Sequence, residues 1–145
     1  MKISTKGRYA LRMLIDLAEH KDDGFITLKE IADRQDISKK YLEQIVPLLN
    51  RSGILLANRG FQGGYRLAKD PQNYTVGEVL RLTEGDLAPV SCLAKNTGTC
   101  PRHEECATVS LWQGLAKVIN EYLDGITLQD LLDKHQSGYP TDYII

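Results

Sequence analysis

The amino-acid sequence predicts a mainly α-helical fold with one small β-hairpin, arranged as a winged helix-turn-helix domain followed by a long dimerisation helix. Two short amphipathic helices follow each other across a tight turn between residues 27 and 49. Two strand-like segments, 54–58 and 65–68, come directly afterwards and flank a glycine-rich tip. Further along the chain, a long segment has apolar residues on more than one helical face.

The helix pair is defined by its capping residues. Thr27 is followed three residues later by Glu30, a capping box that starts the first helix of the pair. Ser38 caps the second helix, whose apolar positions have the spacing i, i+3, i+4 and i+7: Leu42, Ile45, Val46 and Leu49. A helix pair followed at once by a hairpin is a winged helix. Its second helix is suited to the DNA major groove, and its hairpin to the backbone or the minor groove.

The second helix and the hairpin tip carry the candidate DNA-contacting residues. Lys39 and Lys40 lie at a positive helix N-terminus that suits phosphate. Gln44 can pair bidentately with adenine, and Glu43 can accept a hydrogen bond from cytosine N4. Arg59 at the tip can enter a narrow minor groove. The complete candidate set is Ser38, Lys39, Lys40, Tyr41, Glu43, Gln44, Arg59 and Gly60. For each of them, the alternative is a solvated surface residue.

Charge is distributed unevenly between the two halves of the chain, although the net charge is only −1. Residues 1–69 contain 13 Lys and Arg against 8 Asp and Glu, a net charge of +5. Residues 70–145 contain 5 against 11, a net charge of −6. This asymmetry is typical of a chain whose first half faces phosphate, and the alternative is that the charges merely cover solvated faces.

The acidic half begins with a capping box at Thr75 and continues through a long polar loop. A long helix is predicted from Pro101 to Asp124, with a wide apolar surface made by Leu111, Trp112, Leu115, Val118, Ile119, Tyr122 and Leu123. A second copy of the chain is the economical way to cover it, which predicts a homodimer. The predicted domains are 1–85 for DNA binding, 86–105 for a cysteine-bearing loop, and 106–145 for the dimerisation helix, a short helix and a tail.

The three cysteines, Cys92, Cys100 and Cys106, all fall in the acidic half. An odd number of cysteines in a cytoplasmic protein argues against structural disulfides. Two of them lie in the polar loop and the third at the start of the predicted long helix, so a flexible loop can place thiolates around a metal beside this helix. Thiolates suit zinc, copper(I) or an iron–sulfur cluster, and the spacing lacks the short C-x2-C pattern of zinc sites. A redox switch and inert thiols are the alternatives.

Several classes of protein are disfavoured. No apolar run approaches 18 residues, and the first residues lead into a helix instead of a signal peptide, so the predicted location is cytoplasmic, with no membrane partner. The sequence contains neither a nucleophile-and-base arrangement nor a phosphate-cradling glycine loop tied to a strand and helix. An enzyme is therefore not predicted.

Four separate motifs resemble the IscR family of winged-helix bacterial transcriptional regulators. They are Lys6-Gly7-Arg8-Tyr9-Ala10, Tyr41-Leu42-Glu43-Gln44, Arg59-Gly60 with Gly63-Gly64-Tyr65, and Ile126-Thr127-Leu128. The resemblance implies a dimer that binds double-stranded operator DNA through Tyr41, Glu43, Gln44 and Arg59, with Glu43 influencing which operators are accepted. It also implies that Cys92, Cys100 and Cys106 hold an iron–sulfur cluster of the 2Fe-2S type.

The sequence departs from the family at the fourth cluster ligand. Iron–sulfur biogenesis regulators carry a histidine three residues after the third cysteine, where this chain has Val109. Nitric-oxide-sensing relatives can supply an acidic residue from the first helix, where this chain has Arg8. His103 is the candidate, because on a helix it would lie one turn before Cys106 on the same side. Glu104, Glu105, a group from the partner chain and a non-protein ligand are alternatives.

Three functional hypotheses follow. The first is a repressor of iron–sulfur assembly genes that senses its own cluster, and the second is a regulator of cysteine metabolism or of the nitric oxide response. The third, from another class, is a metal- or partner-binding protein without operator recognition. The chain ends in Tyr143-Ile144-Ile145, and cysteine-metabolism members of the family, which bind cysteine synthase, also end in an aromatic residue and isoleucine. The tail is therefore a candidate site for cysteine synthase, with a frayed terminus as the alternative.

Overall fold

A computed structural model describes residues 1–61 and 63–138. The helices and strands are α1 (Thr5–Glu19), α2 (Leu28–Gln35), α3 (Lys39–Arg51), β1 (Leu55–Asn58), β2 (Gly64–Leu67), α4 (Val76–Glu84), α5 (Val109–Asp124) and α6 (Leu128–Gln136). This order confirms the predicted fold class. Among the helices in the described ranges, none is both long enough and apolar enough to cross a lipid bilayer. The tail on which the cysteine synthase hypothesis rests, residues 139–145, lies outside the described residues.

Side-chain caps start the helices where the sequence predicts them. The Thr27 hydroxyl accepts a hydrogen bond from the Glu30 amide at 3.2 Å, and the Glu30 carboxylate accepts one from the Thr27 amide at 2.8 Å. Capping boxes of the same kind start α4 at Thr75 and α6 at Thr127. At the end of α2, Asp36 adopts a left-handed conformation with φ of 52°. Such a residue ends a helix abruptly and leaves room for the tight turn into α3.

The main hydrophobic core forms around α1. Its buried face packs against α2, α3, the hairpin and α6, and the largest fully buried apolar side chains are Met13, Leu14, Leu17, Ile31, Leu42, Ile45, Leu49, Val79 and Leu128. A second cluster forms around Val76, Leu80 and Leu87, with partly buried residues of α5 and α6 against it. The main core holds α3 and the hairpin against α1, and the second cluster joins α5 to α4.

The hairpin, called the wing below, is attached to the segment before α2. Strands β1 and β2 are antiparallel, and Leu55 is opposite Leu67. Ile26 adds a further bridge, because its amide donates to the Tyr65 carbonyl at 2.8 Å and the Tyr65 amide donates to the Ile26 carbonyl at 2.7 Å. A Cβ on Gly64 would lie 2.5 Å from the Ile26 carbonyl oxygen, so this close approach requires glycine.

The predicted start of the long helix is wrong. Helix α5 begins at Val109, whereas the sequence predicts helix from Pro101. Residues His103–Glu105 form a single 3₁₀ turn, and Cys106 is extended. The apolar repeat that packs α5 starts only at Val109, and a short segment without an apolar face gains little from tertiary packing. His103 and Cys106 therefore share one 3₁₀ turn instead of one face of an α-helix.

Candidate DNA-binding surface and cysteine loop

Helix α3, the candidate recognition helix, presents most of its predicted contact residues to solvent. The Ser38 hydroxyl accepts a hydrogen bond from the Tyr41 amide at 3.1 Å, which fixes the start of the helix. Its apolar face is buried in the main core. The exposed members of the predicted set on this element are Ser38, Lys39, Lys40, Glu43 and Gln44. These side chains are free to meet a ligand, except that Lys39 and Glu43 form a loose ion pair at 3.9 Å.

Tyr41 is less free than the other predicted contact residues. It is half-buried, and its ring packs edge-on against Tyr9 of α1 with a centroid distance of 5.3 Å. The Arg12 guanidinium lies over the Tyr9 ring, 5.3 Å from its centroid. Tyr41 therefore also ties α3 to α1, which the sequence pattern did not indicate.

A buried carboxylate holds the helix-turn-helix against α1. Asp16 is 1% exposed and accepts two hydrogen bonds from the Arg34 guanidinium, at 2.7 and 3.0 Å. The Gln35 amide donates a third at 3.0 Å, and Arg12 donates to the Gln35 carbonyl. The hydrogen bonds to Asp16 raise the pKa of Arg34. The sequence pattern does not predict this network, and its one sign in the sequence is an acidic residue, Asp16, between two apolar neighbours of α1.

The wing tip presents Arg59 and Gly60 to solvent. Gly60 has φ of 114°, which favours glycine, and its carbonyl accepts a hydrogen bond from the Gly63 amide at 2.9 Å. Between Gln44 and Lys69 the chain carries no Asp or Glu but has four cationic residues: Arg51, Arg59, Arg66 and Lys69. The end of α3 and the wing therefore form a positively charged segment, which suits a phosphate backbone.

The three cysteines lie in the segment between α4 and α5, called the cysteine loop below (residues 86–108). None of them is in a disulfide; Cys92 is exposed, whereas Cys100 and Cys106 are half-buried. The Thr108 hydroxyl lies 3.5 Å from the Cys106 sulfur and, with nearby backbone amides and Arg102, lowers the pKa of this thiol. This environment favours thiolate, the form that binds metals.

The donor set of the cysteine loop suits an iron–sulfur cluster, because such clusters are held mainly by thiolates. In residues 1–61 and 63–138, however, no three His, Cys, Asp or Glu side chains are gathered closely enough to hold a metal ion. The chemistry of the residues therefore fits the predicted group, whereas the described arrangement of side chains does not bring the three thiols together. His103 is half-buried, and its carbonyl accepts a hydrogen bond from the Cys106 amide at 3.5 Å.

Asp86 closes the first half of the cysteine loop. Its carboxylate accepts hydrogen bonds from the Ala88 amide at 2.8 Å and from the Lys95 amide at 2.7 Å. These bonds, the Lys95 one first, lower the pKa of Asp86. Cys92 lies in the segment 86–95 that these hydrogen bonds close, so the Asp86 carboxylate restricts the positions that Cys92 can adopt.

Replacing Asp86 by alanine should therefore loosen residues 87–97. We expect roughly 3- to 10-fold faster amide hydrogen exchange there at neutral pH, because two charge-assisted hydrogen bonds are lost. Since the pKa of Asp86 is lowered by folding, the wild-type restraint should persist above the ordinary value of 3.8 and weaken only as the pH falls below it. Asp33→Ala, at an exposed carboxylate of α2, is the control. Unchanged exchange in the Asp86 variant would contradict this role.

Helix α5 has two apolar faces. One packs against α4 through partly buried residues, including Ile119 and Leu123. The other is a solvent-exposed stripe formed by Leu111, Leu115, Val118 and Tyr122, which are 59%, 40%, 62% and 65% exposed. The wide apolar surface predicted from the sequence is therefore present, and half of it is uncovered in the single chain.

An ion pair connects α5 to α4. The Arg81 guanidinium donates to the two Asp124 carboxylate oxygens at 2.7 and 2.9 Å and to the Asn120 side-chain oxygen at 2.6 Å. This contact lowers the pKa of Asp124 and raises that of Arg81. A Cβ on Gly77 would overlap the Asp124 carboxylate, so a larger residue at this position would require the Asp124 side chain to move. The ion pair thus connects α5 to α4, which packs against both α1 and α3.

Comparison with known proteins gives a consistent result along almost the whole chain. Residues 3–134 match the model of the Rrf2 family, described as an iron-dependent transcriptional regulator. The transcriptional regulator IscR of Aliivibrio salmonicida is 37% identical over 132 residues, which are 91% of this chain and 77% of that protein. The solved structure of T. potens IscR is 35% identical, with a TM-score of 0.74, and the match covers 99% of this chain and 95% of that one.

A second relative is similar over its full length. The transcriptional regulator CymR of Bacillus subtilis is 39% identical over 142 residues, 96% of this chain and 97% of that protein. Its solved structure, described as that of the global cysteine regulator, has a TM-score of 0.75 at 36% identity and covers 92% of this chain and 97% of that one. The predicted winged-helix fold and the prediction of a regulator instead of an enzyme are confirmed by these relatives.

Proposed function

The chain belongs to the Rrf2 family of DNA-binding transcriptional regulators, and within that family we propose that it is a dimeric repressor of iron–sulfur cluster assembly genes. In this proposal, operator binding depends on an iron–sulfur cluster of the 2Fe-2S type. The observation that carries it is the position of three unpaired cysteines in one loop, directly before the exposed helix α5.

The DNA-binding role is assigned to α3 and the wing. Lys39 and Lys40 would contact phosphates, Glu43 and Gln44 would face base edges in the major groove, and Arg59 would reach the minor groove. The exposure of these side chains on a braced helix and hairpin supports this assignment.

Cys92, Cys100 and Cys106 would provide three cluster ligands, and His103 is the candidate for the fourth. Glu104, Glu105, a group from the partner chain and a non-protein ligand are the alternatives for that position. A bound iron–sulfur cluster supplies sensitivity to iron supply and oxidation. In this proposal, a change in the conformation of the cysteine loop would shift α5. The ion pair between Arg81 and Asp124 would pass this shift to α4, which packs against α3.

The test begins with protein purified without oxygen. We expect visible charge-transfer absorbance, together with iron and sulfide in similar amounts. Operator DNA obtained by selection from random sequence should include sites upstream of iron–sulfur assembly genes. The affinity of the protein for this operator DNA should change when a chelator removes the cluster. The proposal would be contradicted if the purified protein contained no iron or sulfide and its operator affinity did not change on treatment with the chelator.

Single substitutions should separate base-reading from phosphate-binding residues. Gln44→Ala and Arg59→Ala should each weaken operator binding by about 1–3 kcal/mol, and Gln44→Ala should also relax base preference. Lys39→Ala should weaken binding to all sequences alike and reduce the slope of affinity against salt by about one. These values can be measured by titrating operator and random duplexes at several salt concentrations. An equal loss on both duplexes for Gln44→Ala would remove it from the base-reading set.

A second candidate function is regulation of cysteine metabolism, favoured by the full-length similarity to CymR. Under this proposal, residues Tyr143 to Ile145 bind cysteine synthase, because an aromatic residue followed by two isoleucines is an apolar segment that a partner pocket can hold. Full-length protein should then bind cysteine synthase from the same organism, and a version without Tyr143 to Ile145 should not. Binding that survives the truncation, or no binding by either form, would remove the tail from the account.

A further inference from the structure

Phe61 at the wing tip is a large apolar side chain that the described residues, 1–61 and 63–138, leave uncovered. It is 104% exposed, the highest value among the exposed large apolar residues of the described chain. The residue lies inside the turn closed by the Gly63 amide and the Gly60 carbonyl at 2.9 Å, and a Cβ on Gly63 would lie 2.7 Å from the Asn58 carbonyl. The turn is thus tight, and the bridge between Ile26 and Tyr65 braces the wing from behind. The Phe61 side chain therefore projects into solvent from a turn that hydrogen bonds hold in place.

The surroundings of Phe61 include polar and cationic side chains. A groove of about 420 Å³ lies between the wing tip and the end of α3, and it is lined by Thr27, Asn50, Ala57, Asn58, Arg59, Phe61, Tyr65 and the glycines of the tip. The segment from Gln44 to Lys69, which contains this tip, has four cationic residues and no carboxylate. A protein partner with an apolar docking pocket would have to accept this unbalanced positive charge, whereas DNA is complementary to it.

We propose that Phe61 is a DNA-contact residue whose ring packs in the minor groove against the deoxyribose walls and base edges. This inference rests on the proposed use of α3 and the wing for operator binding. The minor groove offers apolar C–H surface beside its acceptors, and apolar side chains are used there by other DNA-binding proteins. Arg59 would supply the ionic part of the contact and Phe61 the apolar part. The apolar part does not release counterions, so it should be insensitive to salt.

The experiment uses the full chain and a duplex that the wild-type protein selects from random DNA. Phe61→Ala should bind this duplex roughly 10- to 100-fold more weakly, because the variant loses the free energy gained by burying a phenyl ring. Its salt slope should equal that of the wild type, whereas Arg59→Ala should lower the slope by about one. Because the described part of the chain leaves the Phe61 ring exposed to solvent, the midpoint of thermal unfolding should not change.

Two further variants locate the effect. Phe61→Trp should show a tryptophan emission change on DNA binding, with the wild type, which has only Trp112, as background. Leu56→Ala shortens another exposed apolar side chain of the wing and should stay within about twofold of the wild-type affinity.

The outcomes distinguish this inference from the proposed function. If Phe61→Ala binds within about twofold of the wild type while Arg59→Ala is weakened, the inference is overturned and the proposed DNA-binding surface stands. Equal losses for the Phe61 and Leu56 variants would overturn it as well, because they would indicate a general weakening of the wing. If the wild-type protein selects no sequence, the proposed function fails and the inference fails with it.

Discussion

Replacing Val118 by aspartate should convert the protein into a folded monomer that binds operator DNA at least roughly 100-fold more weakly. Val118 lies in the exposed stripe of α5 with Leu111, Leu115 and Tyr122, and it is 62% exposed in the single chain. In a dimer formed through this stripe, the carboxylate would be buried without a partner, which strongly disfavours association. The monomer would lose the avidity that comes from binding two half-sites at once.

The measurement is molar mass by light scattering, followed by operator titration. Gln113→Asp is the matched control, because it introduces the same charge on α5 but at an exposed position outside the stripe. Both positions are open to solvent in the single chain and should tolerate the new charge, so both variants should remain folded. A Val118→Asp protein that remains dimeric and binds normally would move the dimer interface away from α5.

Local signals account for the parts of the fold that could be predicted. Thr27, Ser38, Thr75 and Thr127 each cap a helix with hydrogen bonds that span only three residues, and the first three of these caps are predicted from the sequence. The wing was recognisable for the same reason, since its strands are adjacent in sequence and its tip has the glycines that a tight turn requires. These features depend on neighbours along the chain, so a single sequence contains them.

Features that depend on distant parts of the chain were missed. Asp16 reads as an ordinary polar residue until Arg34 and Gln35 are placed beside it, and Ile26 gives no strand signal before it meets Tyr65. The start of α5 is misplaced in the prediction because Pro101 is a good first residue for a helix, whereas the residues that follow it have no apolar face to pack before Val109. In each case, tertiary packing decided between local alternatives of similar energy.

The candidate site was predictable to the level of residue chemistry. Thiol number and position are explicit in the sequence, as are the cationic and amide side chains of α3. The arrangement of the cysteine loop is not, because residues 86–108 contain no long periodic pattern and are organised by contacts such as those of Asp86 with Lys95. The roles assigned to these cysteines therefore have to be established by substitution.

Changing any one of Cys92, Cys100 or Cys106 to serine should abolish the visible cluster absorbance and leave a folded dimer. A serine hydroxyl stays protonated near neutral pH and is a poor substitute for thiolate, so each change removes one ligand. The fold should tolerate the change, since Cys92 is exposed, the other two are half-buried, and none is cross-linked. Operator affinity should then match that of chelator-treated wild-type protein.

The readouts are the visible spectrum, iron and sulfide content and molar mass of protein purified without oxygen. Asp86→Ala is an informative intermediate, because it should retain the cluster but release it faster, since the loop carrying Cys92 is less restrained. His103→Ala should weaken the cluster only if this histidine is the fourth ligand, and an unchanged spectrum would exclude it. If the triple serine variant keeps its iron and sulfide, the cysteines are not the ligands, and sensing has to be sought elsewhere in the chain.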